Sequence, residues 1–132
     1  MNKKSAKKLT VLLAEDDEML RGMVAEILSG GGYRVLAAED GQAAWEKITA
    51  QGADMAVLDC NMPRLDGLAL TKRLRKDPRF SGMPIMMLTV KSMVEDQLVG
   101  YGSGIDDYLP KPFDDQVLLA RLKVLARRIL SA

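Results

Sequence analysis

Short apolar runs alternate with amphipathic stretches along most of the chain. Five runs of four to six residues end in polar or turn residues, as strands buried in a parallel sheet do; they span 9–14, 33–38, 55–59, 84–89 and 107–110. Between them, apolar residues recur at helical spacing. We predict a first helix capped by Asp16 or Asp17 and ending near Ser29, then helices over 41–50, 68–76 and 94–101, and a last helix from Asp114 or Asp115 to about Leu130.

The alternation of strands and helices predicts the fold class. Five β–α units with short connections indicate an α/β protein with a doubly wound, five-stranded parallel sheet and five helices on its two faces. Right-handed crossovers leave few possible topologies. We expect the strand order 2-1-3-4-5.

Composition narrows the class of protein. The 132 residues suit one domain, and 48% hydrophobic with 28% charged residues is ordinary for a soluble globular protein. No apolar run approaches the roughly 20 residues that span a bilayer, and no signal peptide is recognisable, so we expect no membrane association. A single cysteine fits a reducing cytoplasm, where we place the protein. The absence of histidine excludes histidine-based metal sites and catalytic triads.

Charge is unevenly distributed along the chain. The net charge is +1, and the leader over 1–8 carries four lysines and no acid. So short a run supplies few phosphate contacts, and we interpret it as a disordered, solvated terminus. We therefore expect no direct binding of nucleic acid by this chain, and we assign one domain to 9–130.

Polar residues with possible chemistry follow four of the predicted strands. Glu15 and Asp16 follow the first, Asp59 ends the third, Thr89 ends the fourth and Lys111 follows the fifth. The carboxyl ends of parallel strands share one edge of the sheet, where open α/β folds bind ligands. Three of these positions also have a simpler interpretation: Asp59 as a helix cap or Asx-turn, Glu15 and Asp16 as part of an acidic helix start, and Lys111 as a surface lysine.

Clustered acids at this edge would need a cation. Two like charges 4 Å apart repel by about 1 kcal/mol in water and about 4 kcal/mol at an effective dielectric of 20. Oxygen ligands with an open position suit Mg²⁺, which keeps several of its waters and shares phosphate oxygens. We therefore predict a magnesium site among these acids.

These motifs together resemble the receiver domain of two-component response regulators, and in particular the receivers of winged-helix transcription factors. The resemblance covers about 9–130. It rests on the acid pair Glu15-Asp16, on Asp59 with Met62-Pro63 and Asp66-Gly67, on Thr89, and on Lys111-Pro112-Phe113. It implies the flavodoxin-like receiver fold, and it places any phosphorelay histidine in another protein.

The resemblance also implies roles for individual residues. Asp59 would be the phosphoacceptor, with Lys111 and Thr89 as its catalytic partners and a cis bond between Lys111 and Pro112. The metal ligands would be Glu15, Asp16, Asp59 and the backbone carbonyl of Asn61, with Mg²⁺ as the cofactor. Thr89 and Tyr108 would form the switch. Such a protein is not an enzyme beyond its own phosphotransfer and autodephosphorylation.

The implied partner is a sensor histidine kinase or a phosphotransfer protein. The surface expected to change comprises the fourth helix, the fifth strand and the last helix. It suggests a phosphorylation-dependent homodimer in which basic residues of the last helix pair across the interface with acids; the residues are Arg121, Lys123, Arg127 and Arg128 with Asp96, Asp106 and Asp107.

One residue departs from the pattern of the family. Val90 is larger than the alanine or glycine common after the switch threonine, and we expect it to slow phosphoryl exchange.

A receiver-shaped interaction module that is never phosphorylated is the main rival function. An aspartyl phosphatase is disfavoured because the second aspartate it needs is replaced by Asn61. A flavin carrier is disfavoured because the acidic residues 15–18 would repel its phosphate.

Overall fold

The computed structural model describes residues 8–90 and 104–130. In this part of the chain nine elements follow one another: β1 (Thr10–Ala14), α1 (Glu18–Gly30), β2 (Arg34–Ala38), α2 (Gly41–Gln51), β3 (Met55–Asp59), α3 (Gly67–Lys76), β4 (Ile85–Val90), β5 (Asp107–Lys111) and α4 (Asp115–Leu130). Their bounds agree closely with the predicted ones. The helix predicted over 94–101 lies outside the described residues, as does most of the leader over 1–8.

The strands form a parallel sheet. In the described ranges the sheet has five strands in the order β2-β1-β3-β4-β5, so the predicted α/β class and strand order are confirmed. Four helices rather than the predicted five are present in those ranges. Because these strands pair in parallel, the carboxyl ends of β1, β3, β4 and β5 lie at one edge of the sheet, as the sequence predicted.

Two apolar layers cover the faces of the sheet, and alternate strand residues enter opposite layers. One layer joins Leu12, Leu58 and Met87 to α2 and α3. The other joins residues next to them in the chain, such as Leu13 and Leu88, to α1 and α4. Every residue of β3 is buried. Cys60 and Trp45 are partly buried against the first layer.

Aspartates fix the beginnings of three helices at the edge that follows the strands. The side chain of Asp17 accepts a hydrogen bond from the Leu20 amide at 3.1 Å, so it is the N-cap of α1. Asp40 accepts from Ala43 at 2.7 Å before α2, and Asp66 accepts from Ala69 at 2.8 Å before α3. A cap of this kind contributes about 1 kcal/mol.

Arg75 organises the opposite edge, where β4 and β5 begin. Its guanidinium donates to the Met83 carbonyl at 2.7 Å and to the Gly104 carbonyl at 2.6 Å. It also pairs with Asp106 at 3.0 Å, and Asp106 in turn accepts from the Ile85 amide at 2.7 Å. One side chain from α3 thus holds the turns that lead into two strands.

Gly67 permits the close approach of α3 to the end of β3. A Cβ atom at this position would lie 2.4 Å from the carbonyl oxygen of Asp59 and 2.8 Å from the sulfur of Met87. Because the first of these atoms belongs to buried backbone, the chain cannot simply rotate a side chain away. Glycine is therefore required where the acidic strand end meets the helix.

We expect Gly67→Ala to lower the free energy of unfolding by about 1–3 kcal/mol, which is typical of overpacking. Urea denaturation measures this loss. Gly22→Ala in α1 is the matched control, since no atom lies within 4 Å of the added Cβ. It should raise stability by about 0.5–1 kcal/mol because alanine favours the helix. Equal stability of the Gly67→Ala protein and the wild type would contradict the close approach.

Candidate functional site

Asp59 is the last residue of β3 and lies at the carboxyl edge of the sheet. The strand runs between β1 and β4, and the residue is only 5% exposed. The backbone after it is fixed on both sides: the Cys60 amide donates to Leu88 at 2.9 Å and the Gly67 amide donates to Cys60 at 3.0 Å. The Asp59 carboxylate is therefore held in place at the carboxyl end of β3, the strand whose residues are all buried.

Lys111 joins this carboxylate to a second one. Its ammonium donates to Asp59 at 2.7 Å and to Glu15 at 3.1 Å. Lys111 ends β5, and the expected cis bond to Pro112 is present. Three strands that are distant in sequence, β1, β3 and β5, thus supply one salt-bridged cluster, and the interpretation of Lys111 as a simple surface lysine is wrong.

Asp16 completes the group of acids. Ligand oxygens of Glu15, Asp16 and Asp59 all lie within 4.8 Å of one another. Glu15 is buried and Asp16 is exposed, so the cluster opens to solvent on the Asp16 side. Glu15 also accepts a hydrogen bond from the Asp17 amide at 3.1 Å, which orients its carboxylate. A hard divalent cation that prefers oxygen ligands and retains water suits such a donor set.

Burial dominates the electrostatics of the cluster. Desolvation raises the pKa of Asp59 above its usual value, although the hydrogen bond and charge of Lys111 oppose it. Desolvation also raises the pKa of Glu15, against the hydrogen bond from Asp17 and with the charge of Asp59 adding to it. For Lys111 burial alone would lower the pKa, but the two carboxylates together outweigh burial and raise it.

Thr89 and Tyr108 lie on the neighbouring strands. Thr89 is 2% exposed near the end of β4, beside the strand that ends in Asp59, and its hydroxyl is 3.4 Å from the Val90 carbonyl. Tyr108 is 6% exposed and belongs to the apolar layer under α2 and α3. Val90 is 40% exposed at the end of β4.

Asn61 lies two residues after Asp59 in an exposed position. Its carbonyl as a metal ligand stays a prediction. The domain bounds of 9–130 likewise stay a prediction.

The sequence did not reveal three residues that support this edge. The Arg21 guanidinium donates to the backbone carbonyl of Glu15 at 2.9 Å. Arg64, in the loop after Asp59, forms an ion pair with Asp40. The only sequence signal was the position of Asp40 directly before a helix, which indicates a cap but not a partner.

Two of the four basic residues proposed for a dimer have acidic partners within the chain, and Asp96 lies outside the described residues. Arg128 pairs with Asp106 at 2.5 Å, and Arg121 pairs with Asp107 at 3.3 Å. These acids were expected to face a second protomer. A dimer that used them would have to exchange these contacts for intermolecular ones.

A search of the described ranges for a helix long and apolar enough to cross a membrane finds none.

The raised pKa of Asp59 gives a prediction about stability in the metal-free protein. Because the folded state binds this proton more tightly than the unfolded state, ionised Asp59 costs stability as the pH rises above about 3.8. Asp59→Asn should therefore be more stable than the wild type at pH 7 in a chelator. Urea denaturation between pH 4 and 7 checks this: the gain should shrink as the pH falls, and a gain that is independent of pH would contradict it.

Two regulators of known sequence are similar to most of this chain. Response regulator MprA of Mycolicibacterium vanbaalenii is 42% identical over 118 residues, which are 89% of this chain and 50% of that protein. The DNA-binding dual master transcriptional regulator RpaA of Synechocystis is 37% identical over 118 residues, with 89% of this chain and 49% of that protein covered. The chain spans about half the length of the curated relatives it matches.

A solved structure is similar over nearly its whole length. The putative response regulator from Chloroflexus aurantiacus superposes with a TM-score of 0.86 at 35% identity, covering 90% of this chain and 98% of that one. The family description "Response regulator receiver domain" matches residues 11–123. The resemblance inferred from the motifs is confirmed, including its relation to regulators of transcription. The chain belongs to the response regulator receiver domain family and is a signalling domain of a two-component system.

Proposed function

We propose that Asp59 accepts a phosphoryl group from the phosphohistidine of a sensor histidine kinase or a phosphotransfer protein, with Mg²⁺ as cofactor, and that the modified domain acts as a switch. The contact that carries the proposal is the 2.7 Å hydrogen bond from Lys111 to Asp59, beside the acids Glu15 and Asp16. A buried carboxylate next to an ammonium and an acid pair is arranged to receive a dianionic group.

The residues present fit a magnesium ion. Glu15, Asp16 and Asp59 would hold it, together with the backbone carbonyl of Asn61, and the exposed Asp16 leaves room for water. When bound, the ion supplies positive charge that is shared between the carboxylates and the oxygens of the incoming phosphoryl group. Burial and, to a smaller extent, the charge of Asp16 raise the pKa of Asp59, and the ion would offset the repulsion from Asp16.

Transfer requires in-line attack and neutralisation of charge. An oxygen of Asp59 forms a bond to phosphorus while the bond from phosphorus to the donor histidine nitrogen breaks, which returns the histidine and leaves an acyl phosphate. Lys111 would move from its two carboxylate contacts toward the new phosphoryl oxygens. The Thr89 hydroxyl would donate to another of them. The domain would catalyse only this transfer and the later hydrolysis of its own acyl phosphate.

The switch would begin at Thr89 and end at β5. Thr89 on β4 and Tyr108 on β5 are both buried, and their strands are hydrogen-bonded neighbours. Motion of Thr89 toward a phosphoryl group would alter the packing around Tyr108. A difference of a few kcal/mol between the two arrangements is enough to shift the population.

The altered surface would act on a partner. It would comprise the predicted helix over 94–101, β5 and α4, and a phosphorylation-dependent homodimer through it remains a prediction. The DNA binding named for RpaA concerns a protein about twice as long as this chain. We propose that this domain itself controls such an output without touching nucleic acid.

Phosphorylation is tested by the intact mass of the protein after incubation with Mg²⁺ and acetyl phosphate. We expect the added mass of one phosphoryl group because, of the two buried carboxylates that contact Lys111, we assign the acceptor role to Asp59 alone. The addition should be absent in Asp59→Asn and in the presence of a chelator. Lys111→Ala should retain Mg²⁺ binding and be phosphorylated at least about a hundredfold more slowly, as when a charge-stabilising donor is removed.

The negative result is equally informative. If neither acetyl phosphate nor a panel of histidine kinases adds a phosphoryl group to the wild type, the proposal fails. The unphosphorylated interaction module is then the better function.

Val90 gives a prediction about rate. Its side chain is 40% exposed at the end of β4, directly after Thr89, where it can restrict access to the site. Val90→Ala should both gain and lose the phosphoryl group faster than the wild type, by severalfold. Val117→Ala, at a 41% exposed valine in α4, is the control for loss of a similar side chain. Equal rates in the Val90→Ala and wild-type proteins would contradict this role.

A further inference from the structure

The loop between Asp59 and α3 contains an unfavourable backbone conformation. Arg64 has a φ of 68°, and among the described residues it is the only one other than glycine with a positive φ. The Leu65 amide donates to the Pro63 carbonyl at 2.7 Å, across Arg64. A hydrogen bond between residues two apart, with a positive φ between them, defines a γ-turn of the rare and strained kind. Such strain persists only where the surroundings enforce it.

The Arg64 side chain provides one enforcing contact. Its guanidinium forms an ion pair with Asp40, whose side chain is 2% exposed. The other carboxylate oxygen of Asp40 caps α2 through the Ala43 amide at 2.7 Å. These two hydrogen bonds hold the pKa of Asp40 below its usual value, so this carboxylate is ionised. A fixed anion at the beginning of α2 therefore anchors the strained turn.

The backbone of the loop provides the second contact. A Cβ atom at Gly41, the first residue of α2, would lie 1.8 Å from the carbonyl oxygen of Leu65. The loop therefore rests directly on α2 where a side chain is absent. The ion pair and this close approach involve adjacent residues of the loop and adjacent residues at the helix start.

We propose that the Arg64–Asp40 ion pair is a positioning device that holds the loop after Asp59 in its metal-binding conformation. The proposal rests on the proposed function, since the loop carries Asn61, the predicted carbonyl ligand. Arg64 is three residues from Asn61, and its ion pair and side-chain hydrogen bond go to Asp40 rather than to Glu15, Asp16 or Asp59. It is thus a positioning residue that acts through the backbone.

The same pair also shapes the approach to the metal site. Arg64, Asp40 and Pro63 line an open cleft of about 400 Å³ together with Asp16, which is one of the predicted ligands. Loss of the Arg64 side chain would release the turn and widen this cleft beside Asp16. Both effects would weaken the hold on a cation.

The test is Mg²⁺ affinity by calorimetry on the unphosphorylated protein. Arg64→Ala and Asp40→Asn should each weaken binding by about tenfold, as loss of a residue that orients a metal ligand does. Asparagine keeps an oxygen that can cap α2, so the second variant removes charge with little change in shape. In a double-mutant cycle the combined variant should bind no more weakly than either single one.

Arg64→Gly separates the pair from the turn. Glycine adopts a positive φ without strain, so in this variant the turn costs nothing to form but the ion pair that fastens it to α2 is lost. We expect it to bind Mg²⁺ as weakly as Arg64→Ala. Arg79→Ala is the matched control, since it removes an exposed arginine paired with Asp77 at 2.7 Å, and it should bind as the wild type does.

A second measurement is independent of the metal. Amide hydrogen exchange in a chelator should be faster at Leu65 and Gly67 in Arg64→Ala than in the wild type, because both amides have hydrogen bonds within the loop. This readout also covers the case in which Asp40→Asn unfolds α2, since Arg64 is 67% exposed and its replacement leaves the core intact.

The outcomes separate the two proposals. Wild-type affinity and exchange in Arg64→Ala and Asp40→Asn would overturn the positioning role while leaving the phosphoacceptor proposal standing. Wild-type affinity in Arg64→Gly with weak binding in Arg64→Ala would also overturn it, because the turn alone would then suffice. If the wild type itself binds no Mg²⁺, the proposed function fails, and the positioning role is decided by the exchange rates.

Discussion

The structure depends on how two buried carboxylates are kept charged at the edge of a parallel sheet. Isolated, each would be costly to ionise, and burial does raise the pKa of both Glu15 and Asp59. The ammonium of Lys111, within 3.1 Å of both, is the compensation that the chain itself supplies. It is partial, since burial still outweighs it at each acid. Further positive charge at this place would lower the cost of ionising both acids.

The architecture explains why this compensation can only occur where it does. Both faces of the sheet are covered by apolar layers, so polar side chains of the central strands can reach solvent only at the strand ends. Parallel pairing places the ends of β1, β3 and β5 together although they lie up to 96 residues apart in sequence. The capping aspartates 17, 40 and 66 then fix the helices that begin beside those ends.

Much of this was accessible from the sequence because it follows from periodicity. The apolar runs predicted the strands, and right-handed crossovers left few topologies, among which the observed order was the expected one. The polar residues at the ends of these runs predicted that Glu15, Asp59 and Lys111 are neighbours. Residue type and position limited the N-cap of α1 to Asp16 or Asp17, and the structure shows that it is Asp17. These features depend on local pattern and on the rule that parallel strands share an edge.

What the sequence could not give depends on the path of loops. The Arg64–Asp40 pair joins residues 24 apart, and it exists because a γ-turn directs one exposed arginine toward one buried acid. The partners of Arg121 and Arg128 were predicted in another protomer, yet intramolecular acids lie within reach. A charge pattern identifies the sign of a partner, and only geometry identifies the partner itself.

The contacts of Arg75 have a consequence for how a signal could cross the domain. Its guanidinium fastens the turns before β4 and β5 to the end of α3, at the edge remote from Asp59. Those two strands are thereby pinned at one end, while their other ends carry Thr89 and Lys111. Because the other edge is fastened, we expect a displacement that starts at the Thr89 and Lys111 ends to pivot about that edge and to be largest on the surface beside Tyr108.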